Sequence, residues 1–191
     1  DFLETRGGTV YIATGRGLAR LNPRGARGSQ ENPLFTVILP DNPKSESIKI
    51  LFEDKNGQVW AGTSDGLYRL IERDGRAALE NVPLGTPLSS SGGAIAAPSP
   101  NTISVSAILE DRRGTLWVGS YGGGLFRRAK DGSIRRYTGD NALRDNKITD
   151  LHETGDGRIW FSLRSDEKGG LCLLDPEKAE NPVVKCWTTG D

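Results

Sequence analysis

Several residue types are scarce in this chain of 191 residues, and their scarcity limits its chemistry. It has one histidine, His152, and two cysteines, Cys172 and Cys186. No Cys/His spacing typical of a metal site occurs, and neither does a G-x-S-x-G, phosphate-loop or dinucleotide-binding motif. The sequence therefore predicts no metal, no cofactor and no catalytic residue in this segment.

Methionine is absent altogether, and no apolar run reaches membrane-spanning length. Because it has no initiating methionine, the chain is expected to be a segment of a longer protein; the alternative is that a second copy of the chain completes the fold. Acidic and basic residues balance at 25 each, which argues against a nucleic-acid or membrane-surface partner. Apolar residues show no helical period, so an all-β fold is expected.

The dominant feature of the sequence is a phrase that occurs four times. It reads ETRGGTVYIATGRGLARL from Glu4, EDKNGQVWAGTSDGLYRL from Glu53, EDRRGTLWVGSYGGGLFRR from Glu110 and ETGDGRIWFSL from Glu153. Each copy has a glycine and, three residues later, an aromatic residue: Gly8 and Tyr11, Gly57 and Trp60, Gly114 and Trp117, Gly157 and Trp160. Both series step by 49, 57 and 43 residues. A period of this size indicates a solenoid or a propeller.

The third copy shows which of the two is favoured, because it reads as four short strands separated by turns. The strands are Val105–Glu110, Leu116–Ser120, Leu125–Ala129 and Ile134–Thr138, with glycine in the turns between them. Radial repetition of four-stranded antiparallel sheets is the plan of a β-propeller. The whole chain is thus predicted to be one partial propeller segment of about four blades. The blades are placed at 1–39 (incomplete), 47–84, 103–138 and 147–189.

Packing and turns account for the repeated residues. The tryptophans lie in the second strand, where a large ring can fill the wedge between two blades, and all three are expected in equivalent, largely buried positions. A small residue two positions later leaves room for the adjacent sheet; these residues are Gly62, Gly119 and Ser162. Gly57, Gly114 and Gly157 supply the positive φ of the turns. The phrase predicts a fold and no catalysis.

The pattern E-D-x-x-G-x-[VL]-W-x-G-[TS]-x-x-G-L-x-R-[LR] resembles the two-component regulator propeller repeat. The match is close at Glu53–Leu70 and Glu110–Arg127. The fourth copy has Thr154 in place of Asp, and the first has Thr5 in place of Asp and Tyr11 in place of Trp. The resemblance covers nearly the whole chain. It implies the sensor domain of a bacterial histidine kinase, hybrid two-component regulator or diguanylate cyclase, in a ring of commonly seven blades.

The resemblance also implies a location and a role. This segment would be the periplasmic, extracytoplasmic part of an inner-membrane receptor that senses a small-molecule or protein ligand. A kinase or cyclase module would lie elsewhere in the protein, and the receptor could form a homodimer. Two alternatives remain open at this point: a propeller that serves as a protein-interaction scaffold, and a propeller lyase or hydrolase.

One face of the predicted blades carries loops that differ from copy to copy. These loops join the second strand to the third, and the fourth strand to the next blade. The residues that could reach a ligand from them are Asp65, Tyr121, Arg144, Asn146, Arg164 and Asp166. Loops on a rigid scaffold often carry binding function. The alternative for each residue is an ordinary solvated loop, and a rim or a dimer contact is the alternative for the site.

The two cysteines fall in the third and fourth strands of the last blade. If Leu174 faces Val184 across this hairpin, then Cys172 faces Cys186, and adjacent antiparallel strands can bring them into disulfide range. A disulfide would fit the periplasmic side that the resemblance implies. Two small buried apolar residues are the equally weighted alternative.

Overall fold

The computed structural model describes residues 1–85, 103–139, 143–164, 169–178 and 183–188. These residues form four four-stranded antiparallel sheets, each in the order of the chain. The first two sheets contain β1 Phe2–Glu4, β2 Val10–Thr14, β3 Gly17–Leu21, β4 Phe35–Ile38, β5 Ile48–Glu53, β6 Val59–Thr63, β7 Gly66–Arg73 and β8 Arg76–Val82. The last two contain β9 Ser104–Glu110, β10 Leu116–Tyr121, β11 Gly124–Arg128, β12 Ile134–Tyr137, β13 Ile148–Glu153, β14 Ile159–Leu163, β15 Gly170–Leu174 and β16 Val183–Trp187.

The predicted all-β fold is confirmed. The four sheets have the strand number and order of propeller blades, and we refer to them as the first to fourth blades. Strand β1 of the first blade has three residues, whereas β5, β9 and β13 have six or seven. Within the part of the chain that the structure describes, one 3₁₀ turn, Pro43–Ser45, is the single helical element, and no helix is long or apolar enough to cross a membrane.

The blades fall into two compact units. The first unit, Asp1–Pro83, contains the first and second blades, and the second unit, Leu84–Asp191, contains the third and fourth. In the first unit, side chains of β2 and β3 form one core with those of β5 and β6; Tyr11, Leu18, Leu51 and Ala61 belong to it. The second unit repeats this arrangement with a larger core around the buried Trp117.

The second core shows how the repeat lets two blades approach. Trp117, Leu125 and Tyr137 of the third blade pack with Leu151 and Phe161 of the fourth. A Cβ atom added to Gly119 would lie 2.6 Å from Cγ2 of Ile148 in the fourth blade. The small residue of the motif therefore makes room for the adjacent sheet at this position, as the sequence suggested.

The turn between the first two strands is the same in all four blades. In the second blade Asp54 N donates to Gln58 O at 3.0 Å, and Gly57 N donates to Asp54 O at 3.0 Å. Gly57 has a φ of +82°, and the corresponding glycines Gly8, Gly114 and Gly157 have φ values from +77° to +85°. Only glycine takes this backbone region without strain, so the glycine of the phrase fixes the turn.

The predicted pairing of Leu174 with Val184 is wrong, although the predicted pairing of Cys172 with Cys186 is confirmed. Leu174 pairs with Val183 and not with Val184, because the ladder between β15 and β16 shifts by one residue between Leu173 and Leu174. Beyond the shift, Cys172 does pair with Cys186. The shift lies after Leu173, so it does not alter the pairing of the two cysteines.

Candidate functional site

We use two names for the ends of the blades within a unit. The loop edge carries the connections from second to third strand and from fourth strand to next blade. The turn edge carries the repeated turns that contain Gly8, Gly57, Gly114 and Gly157. Five of the six predicted ligand residues, all but Asp166, are described by the structure and lie on the loop edges.

On the loop edge of the first unit, the segment 40–47 lies between two short turns and is bonded to both. Gly17 N of the first blade donates to Glu46 O at 2.8 Å. Ser64 of the second blade donates through its N–H to Ser47 O and through its Oγ to Lys44 O, each at 2.9 Å. These bonds hold the connecting loop against the frame.

Asp65 occupies the centre of this edge and is buried, contrary to the prediction that it faces a ligand. Its side chain and backbone are only 6% exposed. Asn42 Nδ2 donates to Asp65 Oδ2 at 2.9 Å, and Ser45 Oγ donates to Asp65 O at 3.2 Å. Tyr68 OH completes the network by donating to Ser45 Oγ at 2.8 Å. Asp65 therefore anchors the loop, because these neighbours cover it.

One atom of this network is not satisfied. Oδ1 of Asp65 is buried and has no hydrogen-bond partner in the structure. A buried carboxylate oxygen without a donor is costly, and most such groups in native proteins do have a partner. Asn42 also caps the 3₁₀ turn by accepting a hydrogen bond from Lys44 N at 3.1 Å, so it connects that turn with the carboxylate.

On the loop edge of the second unit, Asn146 takes the central position. Its backbone O accepts hydrogen bonds from Gly122 N at 2.9 Å and Gly124 N at 3.1 Å. Its side-chain Oδ1 accepts another from Gly139 N at 2.7 Å. Asn146 thus ties the turn of the third blade to the loop that leads into the fourth. Its predicted contact with a ligand stays a prediction.

Aromatic and basic side chains lie on the same edge as Asn146. Tyr121 is 43% exposed and forms an isolated antiparallel bridge with Lys147, whose Nζ lies 5.7 Å from the centre of the Tyr121 ring. Arg164 N donates to Lys147 O at 2.9 Å, and the side chains of Arg164 and Arg144 are exposed. The structure therefore brings four of the predicted residues to one edge. Asp166 lies outside the described residues.

The turn edge contains a polar arrangement that the sequence analysis missed. Asp54 Oδ1 accepts hydrogen bonds from Asn56 N and Gln58 N, and its Oδ2 accepts one from Trp60 Nε1 at 2.9 Å. Asp111 makes the same three bonds, to Arg113 N, Thr115 N and Trp117 Nε1. In both copies the aspartate precedes the tryptophan by six residues, and this spacing was the sequence signal for the hydrogen bond between them.

The fourth blade has Thr154 in place of this aspartate, and Asp156 accepts hydrogen bonds within the turn instead. Thr154 Oγ1 donates to Asp156 Oδ1 at 2.7 Å, and Asp156 Oδ1 accepts from Arg158 N at 3.2 Å. The Thr154 hydroxyl, followed by the Arg158 N–H, holds the pKa of the exposed Asp156 below its ordinary value. Trp160 is only half-buried, unlike the fully buried Trp117, and stacks on Trp187 with ring centres 5.3 Å apart.

An arginine at the turn edge holds the next blade in each unit. Arg112 donates to the Glu153 carboxylate through its backbone N and its Nε, the latter at 2.8 Å, and through Nη2 to Thr154 O and Gly155 O. In the first unit, Arg6 donates in the same way to Glu53 through its backbone N at 2.8 Å. Its guanidinium also reaches the backbone oxygens of residues 54 and 55. We call this contact the arginine clamp.

Two open grooves lie away from the predicted site. One of about 520 Å³ is at the turn edge of the first unit, and Thr9, Glu53, Gln58 and others line it. The second, of about 430 Å³, lies against the polar segment that follows β3. Neither groove contains any of the six predicted ligand residues.

The two cysteines and the histidine lie within the strands of the fourth blade. Cys172 and Cys186 form a disulfide that joins β15 to β16 across a Cα–Cα distance of 4.0 Å. His152 is exposed on β13 and pairs with Trp160, in the same place as Phe52 beside Trp60. Among the described residues, no group of three or more His, Cys, Asp or Glu side chains could hold a metal ion.

The repeat seen in the sequence and the structure matches a known family. Residues 42–65, 98–122 and 142–165 match the family described as two component regulator propeller, and these segments contain the first part of the second and third copies of the phrase and the whole of the fourth. The chain carries two-component regulator propeller repeats. A relative, histidine kinase P4 of Formosa agariphila, is 31% identical over 97 residues, which is 48% of this chain and 7% of that protein.

Solved structures show the same fold. The extracellular domain of BT4673 from B. thetaiotaomicron, assigned as a hybrid two-component system, has a TM-score of 0.68 at 19% identity, with 96% of this chain and 24% of that one covered. The corresponding domain of BT3049 has a TM-score of 0.60 at 17% identity, covering 99% and 23%. Virginiamycin B lyase from Staphylococcus aureus has a TM-score of 0.63 at 12% identity, covering 100% and 55%. At such identities the likeness shows the propeller fold alone, and this chain spans about a quarter of the length of the two matched extracellular domains.

Proposed function

We propose that this chain is part of the extracytoplasmic sensor domain of a bacterial membrane signalling receptor, and that it binds a ligand or a partner protein. The repeats it carries, and the resemblance of its fold to extracellular domains of hybrid two-component systems, support the assignment. On this proposal, the kinase or cyclase that produces the output belongs to another part of the receptor.

The observation that carries the proposal is the contrast between the two edges of the second unit. The turn edge repeats one backbone arrangement in both blades, with Gly114 N bonded to Asp111 O and Gly157 N to Thr154 O, each at 2.9 Å. The loop edge presents unlike side chains, among them the exposed Tyr121 and Arg164, on a frame that Asn146 fixes. Variation on a fixed frame is what a recognition surface needs.

We do not propose a catalytic role for this segment. The likeness to virginiamycin B lyase is one of fold, and a propeller fold serves many functions. A variant of that lyase with a histidine replaced by alanine is catalytically inactive. The one histidine here, His152, is exposed on a first strand, and its equivalents in the other blades are apolar residues. A binding role therefore suits the exposed residues better.

The proposal is tested in the receptor itself with the double variant Tyr121→Ala/Arg164→Ala. These side chains are exposed, so the melting temperature should change little, while the signalling response should fall at least tenfold. The matched control is Arg113→Ala/Arg158→Ala, which removes two exposed arginines from the turn edge of the same unit and should leave the response intact. A normal response from the folded Tyr121/Arg164 variant would contradict the proposed site.

A further inference from the structure

In the second blade, two arginines four residues apart hold one carboxylate. Arg69 on β7 lies opposite Glu80 on β8, and its Nε donates to Glu80 Oε2 at 2.5 Å. Arg73 follows on the same strand, and its Nη2 lies 3.9 Å from Oε1 of the same glutamate. Each oxygen of the carboxylate is thus turned to one guanidinium group, which is an arrangement that guanidinium and carboxylate groups favour.

The first blade repeats the arginine pair without the carboxylate. Arg20 on β3 has the place of Arg69, because each lies opposite the aromatic residue of its second strand. Arg24 follows Arg20 by four residues. Thr36 lies opposite Arg20, at the position that Glu80 has in the second blade. Among the described residues, no hydrogen bond or ion pair to the guanidinium group of Arg20 or Arg24 is found.

An open groove of about 430 Å³ lies at this position. Arg20, Arg24 and Thr36 all line it. The Oγ1 of Thr36 accepts a hydrogen bond from Asn22 Nδ2 at 3.0 Å, so its own O–H is left to donate to a ligand. Glu31 also lines the groove, but in the described part of the chain its carboxylate forms no ion pair with either arginine.

The segment between β3 and β4 is fixed by its own hydrogen bonds. It stands where the second blade has a two-residue turn between β7 and β8. Asn22 Nδ2 donates to Pro33 O, and Asn32 Nδ2 donates to Arg24 O, each at 2.7 Å. Gly25 lies so close to Pro33 that a Cβ atom on it would be 2.3 Å from Pro33 O. Because the backbone that carries Arg24 is already held, binding in the groove has less of the chain to order.

We infer that the first blade binds a carboxylate of a ligand between Arg20 and Arg24, in the place that Glu80 occupies in the second blade. The two oxygen atoms of the ligand accept hydrogen bonds from the two guanidinium groups. The third blade does not repeat the pair, because Asp131 follows its Arg127 by four residues. The site belongs to the first unit and is additional to the recognition surface proposed on the second.

Two probes of equal charge test the site and distinguish the two sources of such a carboxylate. Glutarate represents a free acid, and the blocked dipeptide N-acetyl-glutamyl-glutamate amide represents acidic side chains of a protein. Each is titrated at neutral pH and constant ionic strength into the ¹⁵N-labelled 191-residue chain, and the arginine Nε–Hε resonances are followed. The resonances of Arg20 and Arg24 should shift most. The probe that binds more tightly identifies the source.

Removing the arginine pair should remove the site. Arg20→Ala/Arg24→Ala should weaken binding of the tighter probe about tenfold or more, because hydrogen bonds to charged groups are strong. The matched control is Arg16→Ala/Arg27→Ala, which removes two exposed arginines of the same segment of chain that do not line the groove. The control should change the affinity less than about twofold.

The variant Thr36→Glu tests the equivalence of the two blades. It places a carboxylate of the chain itself where the second blade has Glu80, so it should also weaken probe binding about tenfold. The Nε–Hε resonance of Arg20 should already be shifted in this variant before any probe is added. Thr36→Gln, which has the same length without the charge, should weaken binding clearly less.

Three results would overturn the inference. They are native affinity in the folded Arg20/Arg24 variant, native affinity in the folded Thr36→Glu variant, and tighter binding of inorganic phosphate than of either probe. The substituted side chains are exposed, so an unchanged melting temperature verifies that each variant is folded. Tyr121→Ala/Arg164→Ala should bind the probes as the native chain does, so the sensor proposal is judged separately.

Discussion

The indole Nε1 of Trp117 donates a hydrogen bond of 2.9 Å to Oδ2 of Asp111, six residues earlier in the chain. Both residues are buried, and Oδ1 of the same carboxylate accepts two backbone N–H groups of the turn. The aspartate thus joins the turn to the ring that fills the core between the third and fourth blades. The repeated aspartate and tryptophan are one structural device in the second and third copies, and not two separate features.

The first prediction concerns this pair. Asp111→Asn keeps the size of the side chain, but it removes the charge and can place an NH₂ group against the indole N–H. We expect the free energy of unfolding to fall by about 2 kcal/mol, as for other buried hydrogen bonds to charged groups. Urea unfolding measures the loss, and Asp131→Asn, a change at an exposed turn aspartate, should lower the free energy of unfolding clearly less.

A double-mutant cycle tests the pairing itself. Trp117→Phe removes the donor, so Asp111→Asn should cost clearly less when it is combined with Trp117→Phe than when it is made in the native chain. Equal costs in the two backgrounds would show that the aspartate acts through the backbone of the turn alone.

The strands and turns could be predicted because local signals determine them. The fourth strand of the third blade was expected at Ile134–Thr138 and is observed at Ile134–Tyr137. The bond between Asp111 and Trp117 was missed, because it exists only after the turn has folded back the chain. The burial of Asp65 could not be read from the sequence either, since it depends on Asn42, 23 residues away, which folds over it. Local pattern thus determines the blades, whereas loop packing determines which loop residues face solvent.

The second prediction introduces the hydrogen bond between aspartate and tryptophan into the fourth blade, where Thr154 stands in place of the aspartate. Thr154→Asp/Asp156→Asn recreates in the fourth blade the Asp54 and Asn56 pair of the second. The new carboxylate can accept a hydrogen bond from Trp160 Nε1, and we expect a gain of about 1 kcal/mol, below the usual value because Trp160 is half-buried.

The single variant Thr154→Asp is the control for that gain. It places two carboxylates where the Thr154 hydroxyl now donates to Asp156, so it should be neutral or destabilising. Urea unfolding measures the free energy of unfolding of both variants. A downfield shift of the Trp160 indole N–H resonance reports the new hydrogen bond. A double variant no more stable than the native chain would mean that the tryptophan of the fourth blade does not need the carboxylate.

The last prediction concerns the disulfide between Cys172 and Cys186, which lie 14 residues apart. Closing a loop of this length restricts the unfolded chain, so reduction should lower the free energy of unfolding by about 3 kcal/mol. Reduction should also yield two free thiols, which can be counted after unfolding, in a protein that has none before treatment, because these are its only cysteines. The variant Cys172→Ala/Cys186→Ala should be about as unstable as the reduced chain, and dithiothreitol should not affect it. Because Cys172 lies in the core shared by the third and fourth blades, the loss should appear as weaker packing of both blades. Native protein whose urea midpoint is the same with and without reductant would contradict a stabilising disulfide.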